Sequence, residues 1–169
     1  MKNMKKVIVL IVLLSGFAVS SFAQATAYAP ASATIVTPIS ISITADMNFG
    51  NIAVGSTGGT VILTPAGSRS ATGGITLPAI IGTVSAASFT VSGSQSYTYV
   101  ITLPSTLDVT HGSDIMTLST FTSTPSATGT LGSGGTQTLN VGATITVAGT
   151  QPAGTYTNTT GFPVTVNYN

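Results

Sequence analysis

A single antiparallel β-sandwich of about seven to nine strands is the fold this sequence predicts. Three observations lead there. Apolar residues recur at every second position, the period that turns one face of a strand to a core and the other to solvent. The pattern is carried by Val, Ile, Thr, Tyr and Phe, whose branched or aromatic side chains fit a pleated, half-buried surface. Gly- and Pro-containing breaks separate the alternating runs, and no segment beyond residue 23 has a capped helical period.

The first strand is expected near residues 39–45, where Ile39, Ile41 and Ile43 alternate with Ser40, Ser42 and Thr44. Val61 with Leu63, and Phe89 with Val91, mark two more. Tyr97, Tyr99, Ile101 and Leu103 repeat the pattern, which places the two tyrosines in the core or at its rim. The clearest alternation is Leu139, Val141, Ala143, Ile145 and Val147, with Asn140, Gly142, Thr144 and Thr146 between them. Phe162, Val164, Val166 and Tyr168 give the last strand. Breaks are read at Gly58-Gly59, Gly73-Gly74, Gly93-Ser94, Pro104, Gly112-Ser113, residues 132–135 and Pro152-Ala153-Gly154. No repeat of fixed period occurs, so one domain is expected; a barrel is the alternative to the sandwich.

The chain opens with Lys2, Lys5 and Lys6, then an apolar run from Val7 to Leu14, then small residues at Ser21 and Ala23. That order predicts a secretory signal peptide cut between Ala23 and Gln24, with Ala25 as the second choice of site. The run falls short of the roughly 20 apolar residues that span a bilayer. No later stretch is long and apolar enough, so the mature chain is expected to carry no integral membrane span. The expected organisation is a signal peptide at 1–23, an extension at 24–34 and a sandwich at 35–169. Export through a periplasm to the cell surface or the medium follows.

Beyond residue 23 the only cation is Arg69, against Asp46, Asp108 and Asp114; there is one His, His111, and no Lys, Glu or Cys. One Arg cannot neutralise a run of phosphates, which argues against nucleic-acid partners, and no basic patch exists for an anionic membrane. Stability without Cys must come from core burial, sheet hydrogen bonding or association. The ionisable residues gather at Asp108, His111 and Asp114, where Gly112 and Ser113 also read as a plain turn. A zinc site needs further His or Cys ligands, and a calcium loop needs closely spaced carboxylates. Nothing resembles a nucleophile elbow, and residues 132–135 lack the Lys and helix of a phosphate loop. No catalytic residue, metal ligand or cofactor is therefore expected. Asn158-Thr159-Thr160 matches a glycosylation acceptor pattern.

The extension has its own periodicity. Ala25, Ala27, Ala29, Ala31, Ala33 and Ile35 occupy one side of an extended chain, with Thr26, Tyr28, Pro30, Ser32 and Thr34 on the other. A plain leader before the first strand is one reading. The other is a strand donated to a neighbouring subunit, where main-chain hydrogen bonds give affinity and alternate side chains give register.

Several stretches resemble the bacterial domain of unknown function family 4402. They are Ile35-Val36-Thr37-Pro38-Ile39, Ala45-Asp46-Met47-Asn48-Phe49-Gly50-Asn51-Ile52-Ala53-Val54, Thr64-Pro65-Ala66-Gly67-Ser68-Arg69, Phe89-Thr90-Val91-Ser92-Gly93, Tyr99-Val100-Ile101-Thr102-Leu103-Pro104 and the ending from Ala153-Gly154-Thr155-Tyr156 through Val164-Thr165-Val166-Asn167-Tyr168. The family is similar to the spore coat U and secreted pilin group, which implies an exported, immunoglobulin-like and often fimbrial protein. It also implies a C-terminal assembly strand built from Gly154, Tyr156, Phe162, Val164, Val166 and Tyr168. Tyr168 is penultimate as in chaperone–usher pilins, but Gly154 stands further from the end, Gly161-Phe162-Pro163 looks inserted, and the usual disulfide is missing.

The leading expectation is a non-enzymatic structural or adhesive subunit, assembling with copies of itself or related subunits. A periplasmic chaperone and an outer-membrane usher are the further partners that the resemblance implies. A monomeric carbohydrate- or host-surface-binding module is the alternative, and an extracellular hydrolase stands last.

Overall fold

The structure, a computed structural model, describes residues 23–169. The expected signal peptide therefore lies, apart from Ala23, outside the described residues. The chain divides into two units, one ending at Thr34 and the other running from Ile35 to Asn169. In the first, residues 23–34 have no regular secondary structure and are exposed.

The second unit is all β. Its strands are β1 (Ser40–Ala45), β2 (Asn48–Phe49), β3 (Ala53–Leu63), β4 (Arg69–Thr76), β5 (Val84–Ser85), β6 (Ala87–Ser92), β7 (Thr98–Thr102), β8 (Thr106–His111), β9 (Asp114–Thr124), β10 (Thr128–Thr130), β11 (Thr136–Val147) and β12 (Thr165–Tyr168). Nine of these twelve have four residues or more, and every pairing is antiparallel. β10, β7 and β12 form a three-stranded sheet, in that order. The seven-stranded sheet is organised by β11, which pairs along one side with β9. Its other side pairs with β6 over residues 136–141 and with β3 over residues 143–147. β1, β4 and β8 complete this sheet at its margins.

Alternation along β11 produces the core. Leu139, Val141, Ala143, Ile145 and Val147 are all buried on one face. Leu139 and Val141 join Phe89, Val91, Tyr99, Ile101, Leu131 and Val166 between the two sheets. Ala143, Ile145 and Val147 join Val61 and Leu118 in a second cluster, covered by Met47, Phe49, Ile52 and Leu77. Each large aliphatic side chain so buried contributes about 1.5–3 kcal/mol. Outward positions of the same sheet carry hydroxyls, as where Ser42, Thr90 and Thr138 lie abreast on β1, β6 and β11. These hydrate the surface without charge.

Two expected breaks are corrected. Gly58-Gly59 and Gly73-Gly74 lie inside β3 and β4, where the pairing shifts register between Val54 and Gly59. A Cβ on Gly59 would stand 2.0 Å from the Thr72 carbonyl oxygen, and one on Gly74 would stand 2.1 Å from that of Thr57. These glycines let two main chains approach closely rather than end a strand. The last strand is also shorter than its sequence pattern: pairing covers only Thr165–Tyr168. Upstream, Gly161 takes a positive φ of 74°, and Pro163 has no N–H to give a ladder.

Candidate functional site

Sheet edges are the surfaces that this fold offers for recognition. β1 pairs only with β6, and β12 only with β7, among the described strands. The two strands touch where the sheets meet, so their outer edges flank one seam of the sandwich. Ile39, Ile41, Val164 and Tyr168 pack against the buried cluster between the sheets, as does Phe162, whose ring lies against Phe89 and Phe121. Val166 is buried, while Phe162, Val164 and Tyr168 are half-buried, so the C-terminal candidates keep their period of two. Gly154 and Tyr156 are placed elsewhere, beside the tip of the β8–β9 hairpin: a Cβ on Gly154 would meet the His111 ring, which lies 5.5 Å from that of Tyr156.

Edges invite pairing unless they are blocked by charge, proline, a bulge or a cover. β8 is covered: Thr110 and Thr157 exchange main-chain hydrogen bonds, and the Asn158 side-chain amide donates to the Asp108 carbonyl. β1 and β12 contain neither charge nor proline within their bounds, and the one irregularity is a register shift in the β1 pairing between Ile43 and Ala45. The N-terminal candidates Ala25, Ala27, Ala29, Ala31 and Ala33 are exposed and outside any strand, and Ile35 is 98% exposed.

The β1–β12 seam is pinned at one end. The Tyr168 hydroxyl accepts from the Ser94 N–H and donates to the Thr37 carbonyl, each at 2.7 Å. Thr37 N–H in turn donates to the Ser94 hydroxyl. Tyr99 is fully buried, its ring lying over Gly129, where a Cβ would approach it within 2.3 Å. Its hydroxyl donates to Gln137 Oε1, and burial pushes its pKa up. Tyr97 sits at the rim, 45% exposed, so the two tyrosines divide between core and rim.

The ionisable cluster is not assembled into a reactive site. Asp108 accepts from the Thr117 hydroxyl, while His111 and Asp114 face each other at the mouth of the hairpin turn. Among the described residues no group of three His, Cys, Asp or Glu could hold a metal ion. Arg69 directs its guanidinium to the main-chain carbonyls of Phe49, Asn51 and Ile81. It thereby fixes the loop that exposes Ile80, an anchorage the sequence did not announce. Asn158 is equally engaged, since its Oδ1 accepts from Thr160 and Gly161 while its amide holds Asp108.

No helix among the described residues is long and apolar enough to cross a membrane. The geometry defines an antiparallel β-sandwich in which two edge strands, β1 and β12, carry neither charge nor proline. Residues 39–168 match the family described as Domain of unknown function (DUF4402), and the chain belongs to that family. Neither the curated proteins nor the solved structures provide a match.

Proposed function

We propose that the protein is an exported, non-enzymatic structural subunit of the cell surface, pilin-like in its assembly. Copies join when residues 25–35 of one chain lie as an added strand along the β1–β12 seam of the next. The observation that carries this reading is the combination of an exposed extension of period two with a seam whose two edge strands carry no charge and each pair with a single strand among the described residues. Main-chain hydrogen bonds would supply affinity, and alternate side chains would fix register. The family's similarity to the spore coat U and secreted pilin group supports the same reading. So does the signal-like start, which would deliver the chain to a periplasm and to a chaperone and usher there. The scarcity of ionisable groups weighs against a hydrolase.

Deletion of residues 24–34 tests the proposal. The full chain should run as a ladder in mild detergent without boiling, and the deleted chain as a monomer. A full chain that is monomeric under the same conditions, or a ladder that survives the deletion, would overturn it.

A further inference from the structure

At one end of the sandwich the β6–β7 turn and the β10–β11 turn border a shallow, open cleft of about 510 Å³. Gly93, Ser94, Gln95 and Tyr97 of the first turn line it with Ser133, Gly134 and Gly135 of the second, and Thr37 closes the lining. No ionisable group other than the Tyr97 phenol lines it. Its floor is glycine for a steric reason. A Cβ on Gly93 would strike the Tyr168 hydroxyl at 2.2 Å, and one on Gly135, where φ is +70°, would strike the Gly93 carbonyl at 2.5 Å. Closing hydrogen bonds make the walls rigid: Gly93 N–H donates to the Gly135 carbonyl, and Gly135 N–H to that of Gly132.

Tyr97 supplies the one aromatic surface. Its ring packs on Tyr168 with centroids 5.4 Å apart, and Tyr168 is held by its two hydrogen bonds to Ser94 and Thr37. Nearly half of Tyr97 remains open to solvent. The side chains of Gln95 and Ser133 are exposed beside it. A half-exposed aromatic ring flanked by neutral hydroxyl and amide groups suits a ligand with an apolar face and a rim of hydroxyls. A charged ligand would lose hydration there and find no counter-charge.

We propose that this cleft binds a neutral saccharide, one pyranose ring stacking on Tyr97 while Gln95, Ser94 and Ser133 hydrogen-bond its hydroxyls. The inference is independent of strand addition, because it needs only one folded copy.

Saturation-transfer NMR and titration with cellotriose, mannotriose, lactose and diacetylchitobiose test it on the full chain, with sialyllactose as the charged comparison. At least one neutral sugar should bind, with sialyllactose no tighter than lactose. Tyr97→Ala should weaken binding by about tenfold or more. Gly134→Leu provides a second variant that leaves the fold intact, since a Cβ there meets nothing nearer than the Thr136 hydroxyl at 4.0 Å. It should block the cleft and give a similar loss. Failure of all four neutral sugars to bind, or binding that both variants leave unchanged, would overturn the proposal.

Discussion

Arg69 shows how a lone charge is used when no ion pair is being built. A guanidinium offers several N–H donors in a rigid fork, and here the fork reaches carbonyls at the end of β2, in the turn after it and in the loop before β5. Lysine presents a single ammonium and cannot span the same three acceptors. Arg69→Lys is therefore expected to lower stability by about 1–3 kcal/mol, read as a shift of the urea midpoint with unchanged slope. Tyr99 makes a pH prediction. Burial raises its pKa in the folded state, so the unfolded chain loses the proton first as pH rises. Stability attached to this group is fully present below the unfolded value of about 10 and declines as pH climbs through the folded one. Tyr99→Phe should flatten that alkaline decline in denaturation curves measured across pH. Gln137 Oε1 keeps the Thr130 N–H as a partner, so the loss at neutral pH should be about 0.5–1.5 kcal/mol.

Among the elements, β11 was the most legible in sequence, because five alternating apolar residues meet a core over the whole strand. β9 was hidden for a physical reason. Met116 and Leu118 turn toward the second cluster, but the next inward residues are Phe121 and Ser123. Thr120, at a positive φ of 50°, inserts an extra residue opposite β11 and inverts the alternation. A period-two reading breaks at that point even though the strand continues. β4 escaped likewise, since its glycines serve close backbone approach and leave only Ala71 and Ile75 as apolar contacts with the core. The seam was half legible: both strands were expected from their alternation, but that β1 and β12 lie side by side became apparent only from the contact between the two sheets. Gly142 offers an element-scale test. A Cβ there would stand 2.2 Å from the Leu63 carbonyl oxygen, with Thr64 and Pro65 main-chain atoms just beyond. Backbone cannot move aside as a side chain can. Gly142→Ala should cost about 1–3 kcal/mol, measured by chemical denaturation, with the β3 end displaced.

For the whole molecule, fold class was readable because composition, alternation and turn residues agreed with one another. The assembly reading draws on a different property, the lack of charged gatekeepers on β1 and β12. The cleft was invisible in sequence, since it depends on two turns more than thirty residues apart coming together. Only the tyrosines hinted at it, and nothing in their spacing separated the exposed ring from the buried one.

The hydrogen bond from Tyr168 to Thr37 joins positions 131 residues apart in the chain. The first and last parts of the sandwich thus meet, which makes its linear order a matter of where the gene is cut. A circular permutant can exploit this: a short Gly/Ser linker joining Asn169 to Thr37, with new ends between Gly112 and Ser113. That hairpin tip is exposed, and a Cβ on Gly112 would meet no atom within 4 Å. The permutant should fold with the parental β-sheet circular dichroism and a single cooperative transition. Loss of cooperative unfolding would mean that the order of synthesis, and not only the final contacts, is needed to reach the fold.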